Sequence, residues 1–413
     1  MVREHEAVSR WFKMPGTASS TPRKLSPEAK NTLWNHGIYQ FGNALAGVFI
    51  SLYLWKLTND LWINGAFQLI MLLSAPIATV YIGRIAKIKD RLYAYRAGIY
   101  LTALFYVLIL IVQERMVDYY IWFACLKGVS TAFYWLGNFT MTSDVTNNEN
   151  RHKYLGWNAM VTHVANLSGP ALAGLMIASF SEMKGYILVF GFSSLMFVLA
   201  SVLSLHIKKK PTHHTAYYLK YTHLILKKRP DFTRSLVGWF IIGLPQGIMM
   251  YVPAILLFQV LPQESWVGYL NAFFLSLSIV SSYILSVKGN EASTNTYLSL
   301  AAWGFVGSAL VLLWDISLWT VIVFMCVSSL FKPLQANTYT AHYYQLIGDM
   351  PLKENFRIES IVIRESVINC GRAAGVLLFM LTAGQIDHVW MPWILVLIML
   401  MQVFIRPLIH KTI

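Results

Sequence analysis

The sequence predicts an all-α membrane protein whose twelve transmembrane helices form two six-helix bundles. Three observations predict it. The 413 residues are 56% hydrophobic and only 13% charged, about half the ~25% charge of a soluble domain. Mean hydropathy is +0.51. Twelve apolar runs of about 20 residues, the length that crosses a bilayer core, alternate with polar turns. So little charge cannot coat a water-facing surface of this size. Soluble enzymes, nucleic-acid binders and disordered scaffolds are therefore excluded.

The runs lie near 33–57, 62–82, 94–112, 119–142, 155–178 and 185–207, then 235–260, 266–287, 297–314, 317–339, 358–383 and 390–409. They divide the chain into a basic N-terminal tail (1–32), a first bundle (33–207), a basic central loop (208–234) and a second bundle (235–409). The tail lacks the apolar stretch and small-residue cleavage site of a signal peptide and reads as cytoplasmic. Net charge is +14, from 33 Lys and Arg against 19 Asp and Glu. With the N-terminus inside, 26 of those cations fall in inner segments and two, Arg115 and Lys184, in outer loops. That bias places both termini and the central loop in the cytoplasm and explains the basic excess without nucleic acid. The expected location is the plasma membrane. Cys125, Cys326 and Cys370 have no CxxC or Cys/His spacing, so neither a disulfide framework nor a zinc site is expected. His213-His214, set among lysines, reads as solvated loop. No metal or cofactor is expected.

The halves share landmarks. Arg151 precedes Gly169 by 18 residues, as Arg357 precedes Gly375, and Phe133–Asn138 has a counterpart in Phe331–Asn337. Together with equal span counts these point to a duplicated six-helix unit.

Ionisable groups at membrane depth are costly, so they face protein or water. Span eleven places Glu365, Asn369 and Arg372 at i, i+4 and i+7, one helical face, with Arg364 on an adjoining face. One reading is an anion or charge-relay site in which Glu365 carries a proton and pairs with Arg372 when the site is empty. The other is a structural clamp between the halves. Span one carries His36, Gln40 and Asn43 at the same spacing, expected on a cavity wall; interhelical hydrogen bonding competes. Span four carries Lys127 and Asn138, and span ten carries Lys332 and Asn337. Snorkelling toward the cytoplasm is the rival reading for Lys332. Tyr134 and Trp135 are candidates for stacking on a substrate, with core or lipid contact as the alternative. In span five, Asn158, His163 and Asn166 read equally as packing residues. In span seven, Gly243-Leu-Pro245-Gln246-Gly247 predicts a kink, with Gln246 within a substrate's reach. Among the deep charges, Lys127, Lys332, Arg364 and Arg372 stand against Glu365, which favours an anionic, zwitterionic or polar solute over a cation.

Six plus six spans around a basic central loop resemble the major facilitator superfamily of secondary transporters, over about residues 33–409. Between spans two and three that family carries Gly-x-Leu-Ala-Asp-Arg-x-Gly-Arg. Here Gly83-Arg-Ile-Ala-Lys87-Ile-Lys-Asp90-Arg91 keeps the first Gly and last Arg, with Lys87 and Asp90 replacing the Asp and the second Gly. Gly169-Pro170-Ala-Leu-Ala-Gly174 is similar to the span-five motif of its antiporters and tilts the reading toward export. The resemblance implies alternating access, a cavity lined by spans one, four, seven and ten, and contact between halves through spans two, five, eight and eleven. Drug/proton antiporters of the family often carry an acid in span one; none is present here.

The expected function is secondary transport of a small polar or anionic solute, with proton coupling as an open option. A lipid-linked-substrate flippase, drawing on apolar residues in spans five and eight, and a non-transporting scaffold or sensor are the alternatives. Expected partners are a small-molecule or amphiphilic substrate, membrane lipids and a proton or other ion, with the chain acting as a monomer. The chain has no GxxxxGK[ST], HExxH or GxSxG motif, so neither an ATP motor nor an enzyme is expected.

Overall fold

The structure, a computed structural model, describes residues 25–88, 91–146, 151–180, 183–208, 217–288, 293–348, 356–383 and 390–410. Every regular element among them is helical. The spans are Pro27–Thr58, Leu61–Ile88, Arg91–Val112, Tyr120–Val145, Arg151–Ala178 and Lys184–Ser204 in the first half. In the second half they are Pro230–Ile248 continued by Val252–Val260, then Glu264–Lys288, Thr294–Leu310, Leu318–Gly348, Arg357–Ala383 and Met391–Leu400 continued to His410. Ten of these are long and apolar enough to cross a membrane. The two that fall short are spans four and eleven, which carry Lys127 and the Arg364–Arg372 charges. Their polarity is tolerable only because each is packed by other spans on several sides.

Local signals set the ends. Ser26 caps span one, its Oγ accepting from the Ala29 amide at 3.1 Å, and Pro27 at the first helical position needs no amide partner. Asn59 ends that helix in the left-handed region (φ 49°), a conformation Asn tolerates better than most residues. Span seven does break, though further along than expected: the helix stops at Ile248 and restarts at Val252, between Pro245 and Pro253.

Packing repeats between the halves. Span one packs on spans five and six, span three on four and six, and span two on four. The second half repeats this, with span seven on eleven and twelve, nine on ten and twelve, and eight on ten. The halves meet through spans five and eight and through spans two and eleven, as the resemblance implies.

Glycines allow the closest of these approaches. Gly243 and Gly247 on span seven face Gly371 and Gly375 on span eleven. A Cβ at any of the four would collide with the partner's backbone: Arg372 O at Gly247, Phe240 O at Gly371, Leu244 O at Gly375. This is a paired small-xxx-small interface, in which backbones approach closely enough for dispersion to replace the missing hydrophobic effect. Gly247→Val and Gly375→Val are therefore expected to cost about 1–3 kcal/mol by overpacking. Gly47→Ala, which meets nothing within 4 Å, should leave stability unchanged. Thermal unfolding of the detergent-solubilised protein checks both; a Gly375→Val protein as stable as the parent would show that the seam yields.

Two clamps close the ends. On the face away from the termini, the second segment of span seven, Val252–Val260, packs on span one. There Lys56 pairs with Glu264 of span eight, and Tyr186 donates to the same carboxylate at 3.4 Å. On the terminal face, the Tyr218 amide donates to Glu359 Oε1 of span eleven at 2.8 Å, and the Tyr217 hydroxyl donates to Val80 O of span two at 3.3 Å. Burial and the Glu359 charge push the Tyr217 phenol up to about 12, so it remains a neutral donor. Gly83, the first residue of the loop motif, lies directly beneath that phenol. The Arg91 side chain of the same motif, with Lys89 and Asp90, lies outside the described residues. Arg96 donates to the carbonyls of Ser204, Leu205 and Ile207, satisfying the C-terminal end of span six and favouring its dipole.

Candidate functional site

A cavity of about 680 Å³ lies between the halves, within the range of small-molecule sites. Spans two, four, seven, eight, ten and eleven supply most of its wall, with Phe305 and Met399 of spans nine and twelve. On spans two, four and eleven the lining runs from mid-helix toward the terminal face: Met71 to Thr79, Gly128 to Phe139, and Arg372 to Ile361. Beyond it the opposite face is held by the Lys56–Glu264 clamp.

Five of the expected site residues line this cavity together: Gln246, Lys332, Glu365, Asn369 and Arg372. The close approach of spans seven and eleven puts Gln246 against Arg372. Gln246 Oε1 accepts from Arg372 Nε at 3.1 Å and from Nη2 at 2.8 Å. Asn369 Oδ1 accepts from Nη1 at 2.9 Å. A guanidinium has five N–H donors. Three are therefore spent on neutral amide oxygens, which orient the fork without cancelling its charge, and two remain for a ligand.

Glu365 is paired differently from the expectation. Its Oε1 accepts from Arg364 Nε at 3.2 Å and Nη2 at 2.5 Å, so the acid is neutralised by its chain neighbour and not by Arg372. The reason is spatial. Two helical turns separate residues 365 and 372, about 10 Å of rise, while the long Arg364 arm folds directly across. Arg364 is itself buried, its guanidinium carbon 5.4 Å from the Trp239 ring centroid. Among the described residues Glu365 Oε2 receives no hydrogen bond. Lys332 is exposed to the cavity and has neither hydrogen bond nor ion pair among the described residues. The wall thus carries an acid paired with Arg364 behind it, and two cations, Lys332 and Arg372, without an ion pair among the described residues.

Span one does not join the wall. His36 is buried, with Nδ1 2.6 Å from the Tyr134 hydroxyl and Nε2 3.2 Å from Thr162 Oγ1. Gln40 is buried, and Asn43 Oδ1 accepts from Lys127 Nζ at 3.5 Å. The stripe is real, but spans four and five hold His36 and Asn43 inside the first bundle, and none of the three lines the cavity. Lys127 is likewise buried there, 3.5 Å from the Tyr106 hydroxyl and 5.1 and 5.3 Å from the Tyr106 and Phe105 ring centroids. Asn138 is buried and off the cavity wall. Tyr134 is buried in the same network, 3.3 Å from Tyr39 between ring centroids, while its neighbour Trp135 lines the cavity. The span-five glycines are packing points: Gly169 meets Ala44 of span one, and Gly174 meets Ser265 and Gly268 of span eight, where Gly268 also lies against Pro170 O.

Sequence reasoning missed Asn271, Gln335 and Phe139 on the wall. Gln335 carried a usable signal, as an amide one turn from Lys332. Its Nε2 donates to Gln402 Oε1 at 2.8 Å, and Gln402 donates on to Ile241 O at 2.8 Å, tying spans ten, twelve and seven behind the cavity.

Comparison with known proteins agrees with this architecture. Over 359 residues the chain is 25% identical to the Bacillus subtilis uncharacterized protein YqgE, covering 85% of this chain and 82% of that one. The fold is similar to the nucleoside transporter NupG at TM-score 0.72 and 8% identity, over 93% of this chain and 99% of that one. It is also similar to the human organic anion transporter MFSD10 at TM-score 0.67 and 12% identity, over 92% and 100% of the two chains. The sequence profile of the Major Facilitator Superfamily matches residues 33–348. With the repeated pairing of its twelve spans and the cavity between its halves, the chain belongs to the major facilitator superfamily.

Proposed function

We propose that this membrane transporter carries a small organic anion by alternating access, with Glu365 as the proton-carrying group. One observation carries the reading: Lys332 and Arg372 face the same cavity, and neither forms an ion pair among the described residues. Uncompensated cations at this depth are expensive, and an anionic ligand relieves that cost. The amides of Gln246 and Asn369 hold the Arg372 fork in place before the ligand arrives, which lowers the ordering cost of binding.

The proposed location is the cytoplasmic membrane with both termini inside, which puts the Lys56–Glu264 clamp on the outer face. In a cysteine-free background, His223→Cys is expected to label from the cytoplasmic side and Asp315→Cys from outside. The reverse pattern would invert the topology.

The seam between spans five and eight bears on the flippase alternative. Gly174 and Gly268 bring the backbones there into contact, which argues against a lateral opening at that depth. Soluble organic anions are thus the favoured class. The test is a thermal-stabilisation screen of the purified protein across anionic, neutral and cationic metabolites, followed by uptake of the hits into proteoliposomes. Ligands that bind only the native state raise its stability with concentration. A set of hits made only of cations would overturn the reading.

A further inference from the structure

The two halves contribute opposite chemistry to the cavity. Every ionisable lining residue comes from the second half: Lys332, Glu365 and Arg372. The first half offers mostly apolar surface, from Met71, Leu72, Trp135, Leu136 and Phe139, with Thr79 and Thr131 as its polar members and no ionisable side chain among the lining residues. Its own cation and histidine, Lys127 and His36, are turned into the bundle and satisfied there. The apolar wall is therefore not a shortage of polar residues in that half but a consequence of where they point.

Trp135 and Phe139 stand one turn apart on span four. Their ring centroids are 5.5 Å apart and their planes differ by 30°. Spacing of i, i+4 puts both on one face, and both are half-buried, so each ring presents surface to the cavity. Together they give an aromatic surface on the wall of the same cavity as the cations. A ligand made only of charge and hydroxyls would leave that surface wet and find no partners on it. One with a flat apolar body would displace that water and stack.

We infer that the substrate is an amphipathic organic anion, an aryl carboxylate or similar acid, whose acidic group sits on Lys332 and Arg372 while its apolar body lies on Trp135 and Phe139. This rests on the anion-transport reading and narrows it. Such a ligand spans both halves at once. Its two ends are held by bundles that must move relative to one another, so both binding surfaces bear on the transition between states.

The test uses the full-length purified protein and matched probes: 2-naphthoate, acetate, inorganic phosphate and the neutral 2-naphthamide. Binding is read by calorimetry and by thermal shift. The wild type is expected to bind 2-naphthoate at least ~10-fold more tightly than acetate or phosphate, the scale of burying one aromatic body, and to bind 2-naphthamide weakly. Trp135→Ala and Phe139→Ala should narrow the naphthoate preference to within about threefold, while Trp135→Phe keeps most of it. The Trp135→Phe protein also guards against misfolding of the alanine variants, and unliganded melting temperatures are compared throughout. Lys332→Ala should weaken acetate and naphthoate alike. Acetate or phosphate binding as tightly as naphthoate would overturn the aromatic assignment and leave anion transport standing. Equal binding of naphthamide would show that the acid group is not read. Stabilisation by no anion at all would overturn both readings.

Discussion

Arg372→Ala is expected to lower anion affinity by at least ~100-fold and to abolish transport. Removing one side of a buried, hydrogen-bonded charge contact costs roughly 2–5 kcal/mol, and each 1.4 kcal/mol is about tenfold in affinity. Two losses combine in this variant. One of the two uncompensated cations disappears, and Gln246 Oε1 and Asn369 Oδ1 lose the donors that now satisfy them. Arg372→Lys separates these effects. It keeps the charge but cannot place donors on both amides and a ligand at once, so an intermediate loss of about tenfold is expected, consistent with one charged hydrogen bond at ~1.5–3 kcal/mol. Gln246→Leu should resemble Arg372→Lys, because it frees the guanidinium to wander without discharging it. Affinity is read by calorimetry and transport in proteoliposomes, with melting temperature reporting folding separately. If Arg372→Ala bound and carried the anion normally, the span-eleven charges would be a structural clamp and the cavity's selectivity would have to come from Lys332 alone.

Much of this architecture was legible because lipid imposes a severe rule. Each span must satisfy its own backbone, so its length and apolar content show in the sequence, and each apolar run coincides with a helix whose ends overrun it by up to nine residues. The exceptional residues were legible for the same reason: Glu365, Asn369 and Arg372 stood out on span eleven because charge there demands a partner. What the sequence did not reveal was the identity of the partner. Glu365 and Arg372 share a face, yet the acid is taken by Arg364, because the reach of a flexible arm is invisible to a helical wheel. The stripe on span one had the right periodicity and the wrong destination. Its partners, Tyr134 and Thr162, lie roughly 100 residues away, and nothing local shows that they will be close enough to satisfy it. The Gly243/Gly247 and Gly371/Gly375 pairs were readable as small-xxx-small motifs, and they position Arg372 against Gln246 through backbone contact. The aromatic wall of Trp135 and Phe139 was ambiguous from composition alone, since aromatic residues in a membrane serve core, lipid and ligand alike.

Glu365→Gln is expected to abolish proton-driven accumulation while leaving anion exchange within about threefold of the parent, because glutamine still fills the site and accepts from Arg364. The electrostatics fix the sign. With Glu365 ionised, Arg364 is neutralised and the wall offers two free cations. When Glu365 takes up a proton, the cavity wall loses its one negative charge and becomes more positive by one unit. Anion affinity therefore rises with protonation, and by linkage a bound anion favours protonation in return. Coupling between two such sites is typically about 1–3 kcal/mol, or about 5- to 150-fold in affinity. In the wild type, anion binding should accordingly tighten as pH falls. In Glu365→Gln, which holds the neutral form permanently, that dependence on pH should be lost. Proton and anion then load together and move in the same direction, which runs against the export tilt of the span-five glycine motif. Arg364→Ala offers the complementary result. Removing the partner strands the carboxylate, so that protein should depend more strongly on pH than the parent. Calorimetry between pH 5 and 8, together with uptake driven by an imposed pH gradient and counterflow without one, separates coupling from exchange. Gradient-driven accumulation by the glutamine variant equal to the parent's would remove Glu365 from the coupling mechanism and move the proton site elsewhere in the chain.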